Sequence, residues 1–284
     1  MKAQIVHSIE QLRAALAARR NEGASIGLVP TMGALHAGHR RLIEYCVRGT
    51  SCTVVSVFVN PIQFNDTGDY QQYPRTLEGD AQLCADAGAE FVFAPSNGDM
   101  YPQPQRTFVE VEGVSERLCG AFRPGHFRGV ATVVQKLFDI VQPDVAYFGE
   151  KDAQQLAVIR CMARDLNLPV RIEGVPTVRE SDGLAMSSRN RHLNAEERRV
   201  APSIYQALLR IQARIAEGVL DPGQARLGAV SEMERQGLRV EYLEIVDPDS
   251  IQPVDRIAGQ VLIACAVWLG STRLIDNVVG TPAA

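Results

Sequence analysis

The run SIGLVPTMGALHAGHRRLIEYCVRG, residues 25–49, decides the fold. It opens on a short apolar segment, SIGLVP (25–30), that reads as a strand, and it closes on HRRLIEYCVRG (39–49), whose apolar residues recur at helical spacing. A turn bearing glycines and histidines, PTMGALHAGH (30–39), joins the two. The next run, CTVVSVFV (52–59), is nearly continuous in β-branched residues, as expected of a strand buried on both faces. Strand, helix, strand in this order is the beginning of a parallel sheet.

The pattern continues outward. A helical stretch around Thr76–Ala87 precedes the strand EFVFAP, and GVATVVQKLFDIVQP (129–143) reads as a helix stopped by Pro143. VAYFGE (145–150) is a strand, DAQQLAVIRCMARDL (152–166) a helix and VRIEGVPTV (170–178) a strand. The βαβα alternation predicts an α/β fold, a Rossmann-like parallel sheet covered by helices. Such sheets bind ligands beyond the carboxyl ends of their strands, near the point where the strand order reverses. After about Asp182 the texture changes. A long helical region begins near Ala195, with Asn194 as its N-cap, and a second covers about Gly223–Gln236. VEYLEIV (240–246), QVLIACAVWLG (260–270) and TRLIDNVV (272–279) then read as consecutive strands. The expected organisation is an N-terminal domain over residues 1–180 and a smaller α+β domain over 181–284.

Composition narrows the function. Of 284 residues, 46% are hydrophobic and 22% charged, with a net charge of -4, which argues against a nucleic-acid surface. No segment approaches the ~20 apolar residues needed to span a bilayer, so no membrane partner is expected. The N-terminal stretch MKAQIVHSIEQLRAALAARR alternates charged and apolar groups at helical spacing and lacks the apolar core of a signal peptide. No two of the six cysteines form a CxxC pair, so reduced, buried thiols in the cytoplasm are the expectation.

His36 and His39 lie three apart where a strand ends and a helix begins, so both rings can share one side of the first turn. A helix start offers unpaired N–H groups and the positive end of the dipole, which favours an anion. Gly33 and Gly38 let the backbone approach a ligand closely, and imidazoles add donors for phosphate oxygens. A zinc site lacks a third ligand at helical spacing, and the spacing of a P-loop is missing. The pattern therefore points to a phosphate pocket.

PTMGALHAGH resembles the signature of the pantothenate synthetase (pantoate–β-alanine ligase) family, within the HxGH nucleotidyl-transfer superfamily. Six further segments match that family in the same order: FVNPIQF (58–64), YPRTLEGD (73–80), RPGHFRGV (123–130), FGEKDAQQ (148–155), VPTVRESDGLAMSSRN (175–190) and TRLIDN (272–277). The resemblance implies ATP contacts from Met32, Gly33, Ala34, Leu35, His36, Ala37, Gly38 and His39, and from Gly149, Glu150, Lys151 and Asp152. It sets Val178 against adenine and makes Met186, Ser187, Ser188 and Arg189 a mobile clamp on the triphosphate. Gln63 and Gln155 become ligands of pantoate, and Asp80 a candidate for holding Mg²⁺.

The residue types suit these tasks, although other readings remain for several. Lys151 offers a point charge to a phosphate, but a capped helix with a solvated lysine explains the same residues. Arg189 offers a planar fork to phosphate oxygens, while Ser187 and Ser188 also suit a hydrated linker. Gln63 has two donors and an acceptor for a hydroxy acid, and Asn60 before Pro61 forces extended geometry that helps aim it. Asp80 is equally at home on a charged helix face. Arg123 and His126, in RPGHF, fall near the pantoate side by resemblance. The chain departs from the family's usual pattern at Ala153, where tyrosine often follows Lys-Asp, and at Gly68-Asp69, where Glu-Asp is common.

The implied activity is an ATP- and Mg²⁺-dependent ligase, a homodimer, that condenses pantoate with β-alanine through pantoyl adenylate. His36, His39, Lys151 and Arg189 are the expected catalytic residues. A nucleotidylyltransferase that releases its nucleotidylated product would use the same phosphate apparatus. A nucleotide-binding regulator without turnover is a third reading, which the presence of both histidines, Lys151 and Arg189 argues against.

Overall fold

The computed structural model describes residues 3–283. The chain forms two compact units. One runs to Val111 and resumes over Arg123–Glu150 and Val158–Pro176; the other comprises Glu112–Phe122, Lys151–Ala157 and the chain from Thr177 on.

The first unit is built on six parallel strands: β1 (Gln4–Val6), β2 (Ile26–Thr31), β3 (Cys52–Val57), β4 (Phe91–Phe93), β5 (Val145–Gly149) and β6 (Arg171–Val175). Their order is β1-β4-β3-β2-β5-β6. From β2 the chain winds outward through β3 to β4, then returns by the helix His126–Val141 to place β5 on the other side of β2. The order reverses between β2 and β5, as in doubly wound nucleotide-binding sheets. Pro30 reinforces that point. It has no N–H to give a ladder, and β2 pairs β5 only at Gly27 and Leu28 while it pairs β3 as far as Thr31. The two strands thus part at their carboxyl ends.

One layer of this unit's core joins the helix Ala37–Gly49 to the sheet, with Leu35, Ile43 and Cys46 packed among Val29, Val55, Val92 and Tyr147. The Val-rich stretch of β3 is buried at all but its last residue, which explains why its sequence shows no alternation. The N-terminal segment differs from the helical reading. Gln4–Val6 pairs with β4 at the sheet edge, and Ser8 then caps the helix Ile9–Asn21 by accepting from the Gln11 N–H. Three residues are too few to display a period.

The second unit carries an antiparallel sheet of β7 (Arg239–Val246), β8 (Val261–Leu269) and β9 (Thr272–Gly280), in that order. Leu208, Ile211 and Ile215 of the helix Ser203–Ala216 pack with Ile263, Cys265 and Val267 of β8. The helical region expected from Ala195 is interrupted: Ala195–Val200 ends before Pro202, and Ser203–Ala216 follows. Asn194 caps the first piece through Glu196 and Glu197 N–H, as its sequence context indicates. The region around 223–236 likewise divides, into Pro222–Ala225 and Ala229–Arg235, at Gly228 with φ of 79°. All six cysteines are buried and unpaired. Burial pushes Cys52 up to about 11 and Cys84 up to about 12, so these thiols stay protonated at neutral pH.

Candidate functional site

The turn after β2 is set by an uncommon backbone. Gly33 and Ala34 both have positive φ, 84° and 51°. A side chain at Gly33 would meet Asp80 Oδ2 at 3.0 Å and Val57 at 3.1 Å, so glycine suits both the conformation and the space. Ala34 holds its left-handed conformation because Asp80, only 3% exposed, grips the turn. Asp80 Oδ2 accepts from the Ala34 N–H at 3.1 Å and Oδ1 from the Leu35 N–H at 2.7 Å, and the Thr76 hydroxyl donates to both oxygens at 3.2 Å. Asp80 thus clamps the histidine-bearing loop from the helix Leu77–Asp86. Its oxygens are directed at N–H and O–H donors, an environment that does not fit an Mg²⁺ ligand. Among the described residues no group of three or more His, Cys, Asp or Glu side chains is placed to hold a metal ion. Mg²⁺ commonly binds through substrate phosphates with few protein carboxylates.

The two histidines form a reciprocal capping box. His36 is the N-cap of Ala37–Gly49; its Nδ1 accepts from the Gly38 N–H at 3.1 Å, while the His36 N–H donates to His39 Nδ1 at 3.3 Å. Their ring centroids lie 4.2 Å apart. A nitrogen that accepts from an N–H carries no proton, so each neutral ring is the Nε2–H tautomer. The capping geometry therefore makes Nε2–H the donor of each imidazole, at a helix N-terminus and at the reversal point of the sheet. Gly149 ends β5, the other strand at that point, and Glu150 follows it.

Gln63 sits in a single turn, Pro61–Gln63, and is 8% exposed. The Asn60 amide donates to Gln63 Oε1 at 2.9 Å and to the Gly129 carbonyl at 3.1 Å; Gln63 Nε2 lies 3.1 Å from Met32 Sδ. Asn60 thus aims Gln63 with its side chain as well as through its extended backbone before Pro61. His126 Nδ1 donates to the Gln63 carbonyl at 2.8 Å, and its Nε2 is 3.2 Å from Arg123. Both residues of RPGHF therefore support the Gln63 turn from behind. Gly129 is indispensable there: a Cβ would fall 2.5 Å from the Ile62 carbonyl oxygen and 2.7 Å from Gln63 Cα.

The second unit gathers the other predicted residues. Lys151 lies in the turn Glu150–Asp152, where its carbonyl accepts from Asn277 Nδ2 at 2.9 Å. Asp152 is exposed and Gln155 half-buried. Beside Gln155, Gln154 is buried and ties the chain at Val114, Arg117 and Cys119 to the start of its helix. Arg179 makes a two-pronged ion pair with the buried Asp276, at 2.7 and 3.0 Å, donates to the Asn277 carbonyl at 3.2 Å and stacks over Tyr205 at 3.7 Å. Val178 accepts from the Met186 N–H at 2.9 Å. Ser187 caps a short turn, Ser188–His192, by accepting from the Arg189 N–H. Asn190 donates to Glu180 and to the Ala185 carbonyl. Lys151, Val178 and Met186 are thereby held on one framework, and Ser187, Ser188 and the exposed Arg189 extend from it.

Sequence reasoning overlooked Arg179, Asp276, Asn277 and Gln154. The segments VPTVR and TRLIDN carry three of them, but a pair 97 residues apart leaves no trace in local spacing.

Comparison with known proteins is consistent across the chain. A family model described as Pantoate-beta-alanine ligase matches residues 4–279. A pantothenate synthetase from Moorella thermoacetica is 50% identical over 282 residues, covering 97% of this chain and 98% of the relative. The crystal structure of pantothenate synthetase from Thermus thermophilus superposes with a TM-score of 0.90 at 46% identity, covering 97% of this chain and 98% of that one. That of pantoate-beta-alanine ligase from Francisella tularensis, complexed with beta-gamma ATP and beta-alanine, gives 0.81 at 33% identity, covering 98% and 97%. A family model spanning residues 4–279, and about half-identity to pantothenate synthetases over nearly the whole chain with a matching fold, lead to one conclusion: this chain belongs to the pantoate–β-alanine ligase family.

Proposed function

We propose that this chain condenses pantoate with β-alanine, using ATP, through a pantoyl adenylate. Pantoate's carboxylate attacks the α-phosphorus and pyrophosphate leaves. The β-alanine amine then attacks the acyl carbon, AMP departs, and the nitrogen loses a proton to give the amide. The carboxylate is itself the nucleophile, so no covalent enzyme intermediate is needed. The protein's work is alignment and neutralisation of charge moving onto pyrophosphate.

The observation that carries this reading is the reciprocal cap of His36 and His39, which directs both imidazoles as neutral donors at a helix start. We assign their Nε2–H groups to phosphate oxygens, together with the Lys151 ammonium, the Ser187 and Ser188 hydroxyls and the Arg189 guanidinium. Met32, the backbone of 33–38, Gly149, Glu150, Asp152, Val178 and Met186 are assigned to the rest of ATP. Gln63 and Gln155 are assigned to pantoate. The 181–284 region acts as a lid, in which the Ser187–Arg189 segment limits hydrolysis of the adenylate. The ligands named for the Francisella tularensis structure, beta-gamma ATP and beta-alanine, support two of the three substrates. Mg²⁺ enters with the triphosphate. The working form is a homodimer in the cytoplasm, a compartment in keeping with six reduced thiols.

Incubation of the purified chain with ATP, Mg²⁺, pantoate and candidate amines, read by mass spectrometry, is expected to yield pantothenate, AMP and pyrophosphate with β-alanine. Steady AMP release should require the amine. Equally fast AMP-ester release without it would favour the nucleotidylyltransferase.

A further inference from the structure

The orientation of the Gln63 amide is dictated by its neighbours. The Gly129 carbonyl can only accept, so Asn60 must turn Nδ2 toward it, at 3.1 Å. That leaves Asn60 Oδ1 facing Tyr101, whose hydroxyl donates to it at 2.7 Å. The same Nδ2 donates to Gln63 at 2.9 Å, so the Gln63 atom facing it is Oε1. Nε2 is left on the far side, beside Met32 Sδ. Burial holds the Tyr101 hydroxyl well above the ordinary tyrosine range, so it remains an O–H donor throughout the neutral region. Its ring is fixed between Phe58, with centroids 6.1 Å apart, and Lys136 Nζ, 5.1 Å from the ring centre.

We infer that Tyr101 is a positioning residue: its hydroxyl holds Asn60 Oδ1 while the Gly129 carbonyl orients Nδ2, and the Asn60 amide held in this way turns Gln63 to offer N–H donors and select an oxygen acceptor on pantoate. This inference rests on the assignment of Gln63 to pantoate above. An amide of the opposite orientation would present a carbonyl oxygen and favour a substrate bearing a donor. Such a turn would set Asn60 Oδ1 against the Gly129 carbonyl, two acceptors facing each other, and leave buried polar groups unsatisfied. Without the hydroxyl, Asn60 Oδ1 loses the partner that holds its side of the relay.

The test is Tyr101→Phe, which keeps the ring and its packing. Pantoate is compared with an analogue whose 2-hydroxyl is replaced by an ammonium group, a donor that cannot accept. In the unaltered enzyme a strong preference for pantoate is expected. In Tyr101→Phe the KM for pantoate is expected to rise about five- to tenfold, as for the loss of one hydrogen bond. The KM values for ATP and β-alanine should stay within about twofold, and the preference for pantoate over the ammonium analogue should shrink. A purely structural role would change kcat or thermal stability while leaving that preference intact, and would overturn the inference. So would an unchanged pantoate KM. If the unaltered enzyme makes no pantothenate, the parent reading fails and this inference falls with it; if it does while Tyr101→Phe keeps full selectivity, only the inference fails.

Discussion

His39→Asn is expected to fold normally and lose ~10²–10³ in kcat, the scale found when one preorganised donor to a developing charge is removed. Asparagine is a sharper probe than alanine because Nδ1 and Nε2 have separate tasks. Nδ1 accepts the His36 N–H and closes the helix cap. An asparagine Oδ1 can take over that bond, whereas alanine would lose a cap contribution of about 0.5–2 kcal/mol. Neither residue replaces the Nε2–H. A thousandfold loss corresponds to about 4 kcal/mol of transition-state stabilisation, more than the cap alone can supply, so activity and stability should separate. Lys151→Ala should fall in the same range, since its anchoring bond uses the main-chain carbonyl and survives truncation. If both groups stabilise the same departing pyrophosphate, the double variant should lose less than the product of the two single losses. Near-normal turnover in either single variant would remove that residue from the mechanism.

Asp80→Ala is expected to destabilise the first unit by about 3–5 kcal/mol. It would strip buried Ala34 and Leu35 N–H groups of charged acceptors, each worth roughly 1.5–3 kcal/mol, and release a turn with two successive positive φ values. In a unit of this size that is a fall of roughly 10 °C in melting temperature. Asparagine rescues only in part, because its amide nitrogen would confront one of the N–H donors. Residual activity should show an unchanged dependence on Mg²⁺ concentration. A protein that melts normally but needs far more Mg²⁺ would instead make Asp80 a metal ligand.

Much of the fold is legible because its signals are local. β3 is a buried β-branched run, the helix Ala37–Gly49 has helical periodicity, and both lie in register with their sequence patterns. The switch point is visible for the same reason, as strand followed by turn followed by helix. What escapes is whatever depends on distant partners. Gln4–Val6 is a strand only because β4 lies beside it. Asp80 looks like one acidic residue on a helix until Ala34 and Leu35 are seen to donate to it across more than 40 residues. The spacing of the paired histidines points toward a phosphate ligand, but their tautomers follow from Gly38 N–H and His36 N–H, and only the folded geometry supplies those. Asp276 and Asn277 have no recognisable chemistry alone; Arg179 and Lys151 give them their tasks.

The chemistry itself can be followed by isotope. Pantoate labelled with oxygen-18 in both carboxylate oxygens is mixed with ATP, Mg²⁺ and β-alanine, and the products are weighed by mass spectrometry. If the carboxylate attacks the α-phosphorus, the amine later breaks the acyl carbon–oxygen bond, and AMP must leave carrying one labelled oxygen in its phosphate while pantothenate keeps the other in its amide. Label in pyrophosphate or inorganic phosphate, with none in AMP, would contradict the account.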